Sequence, residues 1–102
     1  MDTNKQIGYS GQNYAKEFLR KEGLKFVEAN YTIQGGELDL IFLDGNEYVF
    51  VEVKSRKQST LTRESLISFS QKKSLINTAK IWLMKKGLYE VDWRIDLVLI
   101  VR

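Results

Sequence analysis

The chain has 102 residues, 43% of them hydrophobic, enough for one compact core but not for two. It contains no cysteine and no histidine, which excludes disulfides, thiolate or imidazole zinc sites, cysteine nucleophiles and serine–histidine triads within it. The formal charge of +3 conceals an imbalance: residues 1–52 carry 5 Lys+Arg against 9 Asp+Glu, and residues 53–102 carry 11 against 4.

Residues 1–6 are polar and lack the apolar segment of a signal peptide. No later stretch reaches the roughly 18 uninterrupted apolar residues of a membrane span. A cytoplasmic protein with no membrane partner is expected. From about residue 9 to 22, Gly11, Tyr14, Ala15, Phe18 and Leu19 recur at helical spacing, and Gly23 stops the helix. Gly11 and Ala15, one turn apart, would let this helix approach a sheet closely. Residues 24–34 read as a strand with an irregular middle at Asn30, and Gly35-Gly36 turns the chain onward.

Two apolar, β-branched and aromatic runs then flank Asp44-Gly45-Asn46-Glu47, the pattern of a tight hairpin. Glycine at the first central position suits a type II′ turn, which needs positive φ there. That turn sets Leu43 opposite Tyr48, Ile41 opposite Phe50, Asp39 opposite Glu52 and Glu37 opposite Lys54. Residues 55–66 are polar and hydroxyl-rich and read as a loop. A second helix is expected over 70–86, with Leu75, Ile76, Ala79, Trp82 and Leu83 as its apolar stripe and Gly87 as its stop. Residues 93–101 form a last strand, apolar on both faces towards its end, as a covered interior strand would be. A helix joining two strands makes the final pair parallel. The expected fold is a single α/β (α+β) domain over 1–102: order α-β-β-β-α-β, a mixed central sheet flanked by helices.

The chemistry concentrates at the open end of the hairpin. Directly opposed residues have Cβ atoms roughly 4.5–5.5 Å apart, and like charges so placed destabilise a sheet. Asp39 and Glu52 would therefore want a shared proton or a divalent cation. With imidazole and thiolate absent, only a hard, oxygen-liking ion such as Mg²⁺ fits, with Lys54 beside it. The alternative is a Glu37–Lys54 cross-strand ion pair, with Asp39 and Glu52 on a wet face. A one-residue slip in register would also turn one strand's side chains over. Arg56, Lys57, Arg63 and the lysines of the second helix, Lys73 and Lys80 among them, are candidate contacts to backbone phosphates, although solubility alone would also call for such residues. Trp82, Tyr31 and Trp93 read as packing residues rather than base-stacking platforms, and Asp96 as structural.

An acid, a twelve-residue gap and then Glu-x-Lys on the next strand resembles the PD-(D/E)xK signature of the restriction-endonuclease-like nucleases. More closely, the chain resembles the bacterial YraN family, which is related to archaeal Holliday-junction resolvases. The matching residues are Gly8-x-x-Gly11 with Ala15 and Leu19, Asn30-Tyr31, Gly36-Glu37-Leu38-Asp39-Leu40-Ile41, Val49-Phe50-Val51-Glu52-Val53-Lys54-x-Arg56, Leu75 with Ala79 and Leu83, and Arg94-Ile95-Asp96-Leu97-Val98.

The resemblance implies an αβββαβ nuclease core and a Mg²⁺- or Mn²⁺-dependent endonuclease. The implied substrate is nucleic acid, DNA more than RNA and branched or otherwise structured, cut by a possible homodimer. It also implies that Asp39, Glu52 and the Val53 carbonyl hold the metal. Lys54 would orient or activate the attacking water, and Glu37 would assist. Gln71 and Lys72, opening the second helix, fall near a supporting polar position. One departure is Gln12, where such proteins usually carry Glu; a neutral amide there favours an alternative in which the fold binds nucleic acid but cleaves it weakly or not at all.

Overall fold

The computed structural model describes residues 4–62 and 66–102, with side chains described from Ser10 onward. Helix α1 (Asn4–Lys21) leads into β1 (Lys25–Ile33), β2 (Gly36–Asp44) and β3 (Glu47–Arg56). A short 3₁₀ turn (Gln58–Thr60), helix α2 (Phe69–Lys85) and β4 (Asp92–Val101) complete the chain. The α-β-β-β-α-β order is the expected one. The sheet runs β1-β2-β3-β4, antiparallel through the first three strands and parallel between β3 and β4.

The hairpin turn has the expected backbone. Gly45 lies at φ +60°, and Asn30 is the one non-glycine residue with positive φ among those described, so Asn46 keeps a negative φ as type II′ requires. The register follows: Leu43 pairs with Tyr48, Phe42 with Val49, Ile41 with Phe50, and Leu40 with Val51. Arg94 on β4 ties this turn down, reaching Glu47 at 2.6 Å, Asp44 at 3.2 Å and Asp96 at 3.1 Å. Asp96 is thus structural, as expected.

Each sheet face buries its own helix. Leu38, Ile41 and Phe50 pack with Leu75, Ala79, Trp82 and Leu83 of α2. Leu40, Phe42, Val49 and Val51 pack with Ala15 of α1. Trp82 is 2% exposed and lies edge-on to Phe50, so its assignment to the core holds. Its indole N–H donates to Glu28 at 3.2 Å. Thr78 is a core residue that hydropathy did not mark. It is fully buried because its hydroxyl donates back to the Ser74 carbonyl at 2.8 Å, satisfying its polar atom inside the helix.

Three expectations need correction. First, α1 starts at Asn4 rather than near residue 9, and Tyr14 and Phe18 on its expected apolar stripe are 68% and 49% exposed. The helix touches the sheet along its small residues instead: a Cβ added at Gly11 would sit 3.2 Å from Ile100, and Ala15 is fully buried. Larger neighbours are displaced to the flank by that close approach. Second, β4 is an edge strand, not an interior one, and Leu97 and Val101 on it are 37% and 48% exposed. Third, β3 continues to Arg56 and a 3₁₀ turn (Gln58–Thr60) follows, so the first part of the expected loop carries regular structure.

The side-chain alternation breaks twice in this part of the sheet: at a bulge between Phe26 and Glu28 on β1, and at a second place that involves both β1 and β2. Ala29 and its partner Leu40 face α1, whereas Tyr31 and its partner Leu38, two residues further along each strand, face α2. In a regular strand, residues two apart share a face. Between these pairs lie Asn30, at φ +56°, and Asp39. The expected irregularity at Asn30 is therefore a kink shared by two strands.

Candidate functional site

The β2–β3 ladder ends at Leu40–Val51, one residue short of the carboxylates. Beyond it the main chains part, and a side chain fills the gap: Asp39 Oδ2 accepts a hydrogen bond from the Val53 N–H at 2.8 Å. Glu52 follows Tyr48 and Phe50 on the α2 face of β3. Asp39 and Glu52 are each only 8% exposed. The Lys54 ammonium, two residues along the strand, lies 3.4 Å from Glu52 Oε1.

The electrostatics follow from that crowding. The Glu52 carboxyl is pushed up from 4.5 to about 7, first by burial and then by repulsion from Asp39. A hydrogen bond with Asp39 raises it further, while the charge and hydrogen bond of Lys54 pull the other way. One ammonium therefore faces two clustered carboxyl groups, and the site still favours a bound proton or a further cation.

Glu52 opens into a cleft of about 410 Å³, whose walls include Thr32, Glu37, Gln71, Ser74 and Leu75. Its floor is held by an unusually close approach of α2 to the Gly35–Gly36 turn. Ser74 Oγ donates to the Gly35 carbonyl at 2.9 Å. A Cβ added to Gly36 would collide with Thr78 Oγ1, so the residue before Glu37 has to be glycine for α2 to seat here. Hydroxyls at helix positions 74 and 78, four apart, were the available signal for this latch; serine and threonine are common enough that the spacing carried little weight.

The predicted residues separate into two groups. Asp39, Glu52, Lys54, the Val53 main chain, Glu37 and Gln71 all come to one end of the sheet. The Glu37–Lys54 ion pair does not form, because the ladder has ended; Lys54 pairs with Glu52, and Glu37 sits opposite Thr32 on the other side. Lys72 and Lys80 line a different, mainly apolar cleft with Trp93, Ile95 and Leu97, so Lys72 is not part of this site. That outcome reflects helical geometry, since adjacent positions 71 and 72 lie about 100° apart on α2. Gln12 lies on α1, against the opposite sheet face, and no hydrogen bond links it to Asp39 or Glu52 among the described residues. Lys57 and Lys73 are exposed, and the Arg56 guanidinium donates to its neighbour's carbonyl, Ser55 O, at 2.9 Å. Arg63 lies outside the described residues. No three Asp or Glu side chains cluster closely enough to hold an ion alone among the described residues, so any ion here needs main-chain or water oxygens as well.

Residues 11–100 match the family model described as "Uncharacterised protein family UPF0102". The chain belongs to the UPF0102 family. It is 38% identical over 101 residues to a UPF0102 protein of Vibrio campbellii, covering 96% of this chain and 83% of the relative. A UPF0102 protein of Marinomonas sp. is 44% identical over 97 residues, covering 93% and 76% respectively. The UPF0102 match contains Asn30, Gly36, Asp39, Glu52, Lys54 and all of α2, so the site and its supports fall within the family's shared span. Among the described residues, no helix is long and apolar enough to cross a membrane.

Proposed function

We propose that this UPF0102 protein is a metal-dependent phosphodiester hydrolase with a restriction-endonuclease-like core, acting on nucleic acid. The observation that carries this reading is the buried Asp39–Glu52 pair beside Lys54. A chain selected for folding alone has little reason to keep two repelling carboxyl groups at 8% exposure each. The donors fit a hard divalent ion such as Mg²⁺ or Mn²⁺: two carboxylates, with the Val53 carbonyl as a third oxygen and no nitrogen or sulfur ligand. Asp39 and Glu52 would hold that ion, which when bound polarises a phosphate oxygen and acidifies a water.

The chain's own groups supply the rest. The Lys54 ammonium, held by Glu52, orients a water or meets negative charge developing on phosphate. The Val53 N–H fixes Asp39 Oδ2 and so holds the carboxylate where it and Glu52 could meet one ion. Glu37, across the cleft, can accept a proton from an attacking water. Lys57 and Lys73 lie exposed where backbone phosphates could meet them, contacts that position without reading sequence. The substrate is DNA rather than RNA in this reading, branched more readily than linear. Cutting both strands of a junction takes two such sites, hence in this reading a homodimer, working in the cytoplasm.

Purified protein incubated with junction, flap and linear DNA in Mg²⁺ or Mn²⁺ tests this. Cleavage is expected with wild type and absent from Asp39→Ala and Lys54→Ala. Equal cleavage by all three would refute the assignment. Gln12 supports one further reading, because a neutral residue stands where such proteins usually carry an acid. Salt-sensitive DNA binding without cleavage in either metal would identify a nucleic-acid-binding module built on the same fold.

A further inference from the structure

We propose that Asn30 is a positioning residue for Asp39. Its left-handed backbone holds the kink shared by β1 and β2, and the kink turns the Asp39 carboxylate sideways into the gap between β2 and β3. The inference rests on the reading of Asp39 as an ion-holding carboxylate.

Three observations converge on this pair. Side chains of a regular strand stand roughly perpendicular to the sheet. A regular β2 would therefore aim Asp39 at a helix layer, where it could not reach a main-chain N–H of the neighbouring strand. Instead Asp39 Oδ2 sits 2.8 Å from Val53 N. Next, the turnover of faces between Ala29–Leu40 and Tyr31–Leu38 brackets the Asn30–Asp39 step on both strands. Finally, Asn30 is the one non-glycine residue at positive φ among those described, at +56°. Asparagine tolerates this region, whereas most residues are strained there by a clash between Cβ and the backbone.

Packing does not explain the choice of residue. Asn30 is exposed, so its side chain fills no core volume. What its position shares with the site is a step of the ladder opposite Asp39. A strand without the kink would turn Leu38 and Tyr31 from the α2 side as well. The readout that separates positioning from packing is therefore the Asp39–Val53 bond itself and not overall stability.

The test compares Asn30→Gly, which accepts the left-handed region, with Asn30→Val, which resists it. Hydrogen exchange at the Val53 amide, read by NMR, reports the bond directly, and Asp39→Ala sets the value for its loss. Mn²⁺ binding by titration calorimetry reports the consequence. Asn30→Gly should match wild type in both measurements. Asn30→Val should lose about tenfold or more in Val53 protection and in Mn²⁺ affinity, with ladder amides between Leu40 and Asp44 unchanged. If Asn30→Val does not fold, Asn30→Ala makes the same comparison with less strain.

Wild-type protection at Val53 in the valine or alanine variant overturns the inference, as does uniform loss across the sheet, which would mark a purely structural role. So does Mn²⁺ affinity equal to wild type in that variant. Failure of wild type itself to bind Mn²⁺ is a separate result: it overturns the ion-holding reading, and with it the purpose given to Asn30.

Discussion

Replacing Glu52 by glutamine should stabilise the metal-free protein at alkaline pH. A carboxyl whose folded pKa lies above its unfolded value binds more protons in the native state than in the unfolded chain. Its contribution is therefore fully present below about 4.5 and is lost as pH rises to about 7. That interval, at about 1.4 kcal/mol per pH unit, comes to about 3 kcal/mol of stability missing at pH 8. Glutamine resembles the protonated acid in shape and keeps no charge to repel Asp39. Even a third of the full effect, about 1 kcal/mol, moves the Tm of a domain this size by about 4–8 °C. The assay is thermal unfolding in chelator at pH 5 and pH 8. Wild type should lose stability between the two, while Glu52→Gln should change little and exceed wild type at pH 8. Adding Mn²⁺ should then raise the wild-type Tm at pH 8, since a ligand at 100 times its Kd adds about 2.7 kcal/mol, and leave Glu52→Gln almost unmoved. A variant less stable than wild type at pH 8 without metal would show that Lys54 already neutralises the site, and the reasoning would fail.

Other consequences follow from the packing around the site. Gly36→Ala should cost about 1–3 kcal/mol in urea unfolding by driving a methyl group onto Thr78, and Thr78→Ala should recover part of it in the double variant. Trp82→Ala should cost about 3–5 kcal/mol, because the indole is almost fully buried between β3 and α2. Arg94→Ala should cost only about 1 kcal/mol despite its three carboxylate partners, because those ion pairs are a third or more exposed and salt weakens them. If 1 M salt left the Arg94 effect unchanged, screening would not explain it.

Much of the site could be read from the chain because a short loop transmits register. Gly45-Asn46 admits one tight turn, and counting outward from it brings Asp39 and Glu52 to the same level of adjacent strands. Lys54 then shares the Glu52 face by simple alternation, as found at 3.4 Å. The counting failed beyond Leu40 and Val51. There the strands part, so Glu37 never meets Lys54, and the repulsion foreseen between two carboxylates is met partly by a main-chain N–H that counting could not supply. Lys72 lines a different cleft from Gln71 for a related reason: closeness in sequence says nothing about which side of a helix a residue takes.

Local chemistry by itself determined the element order, the hairpin register and the lack of imidazole or thiolate ligands, because each depends on residues a few positions apart or on composition. Tertiary structure alone decided which strand is the edge, which face each helix covers, and how α2 seats against the Gly35–Gly36 turn. It also decided that Asp39 turns sideways at a kink shared with Asn30. Those outcomes arise from contacts between segments distant in the chain, where close packing selects one arrangement among several that the same periodicity allows.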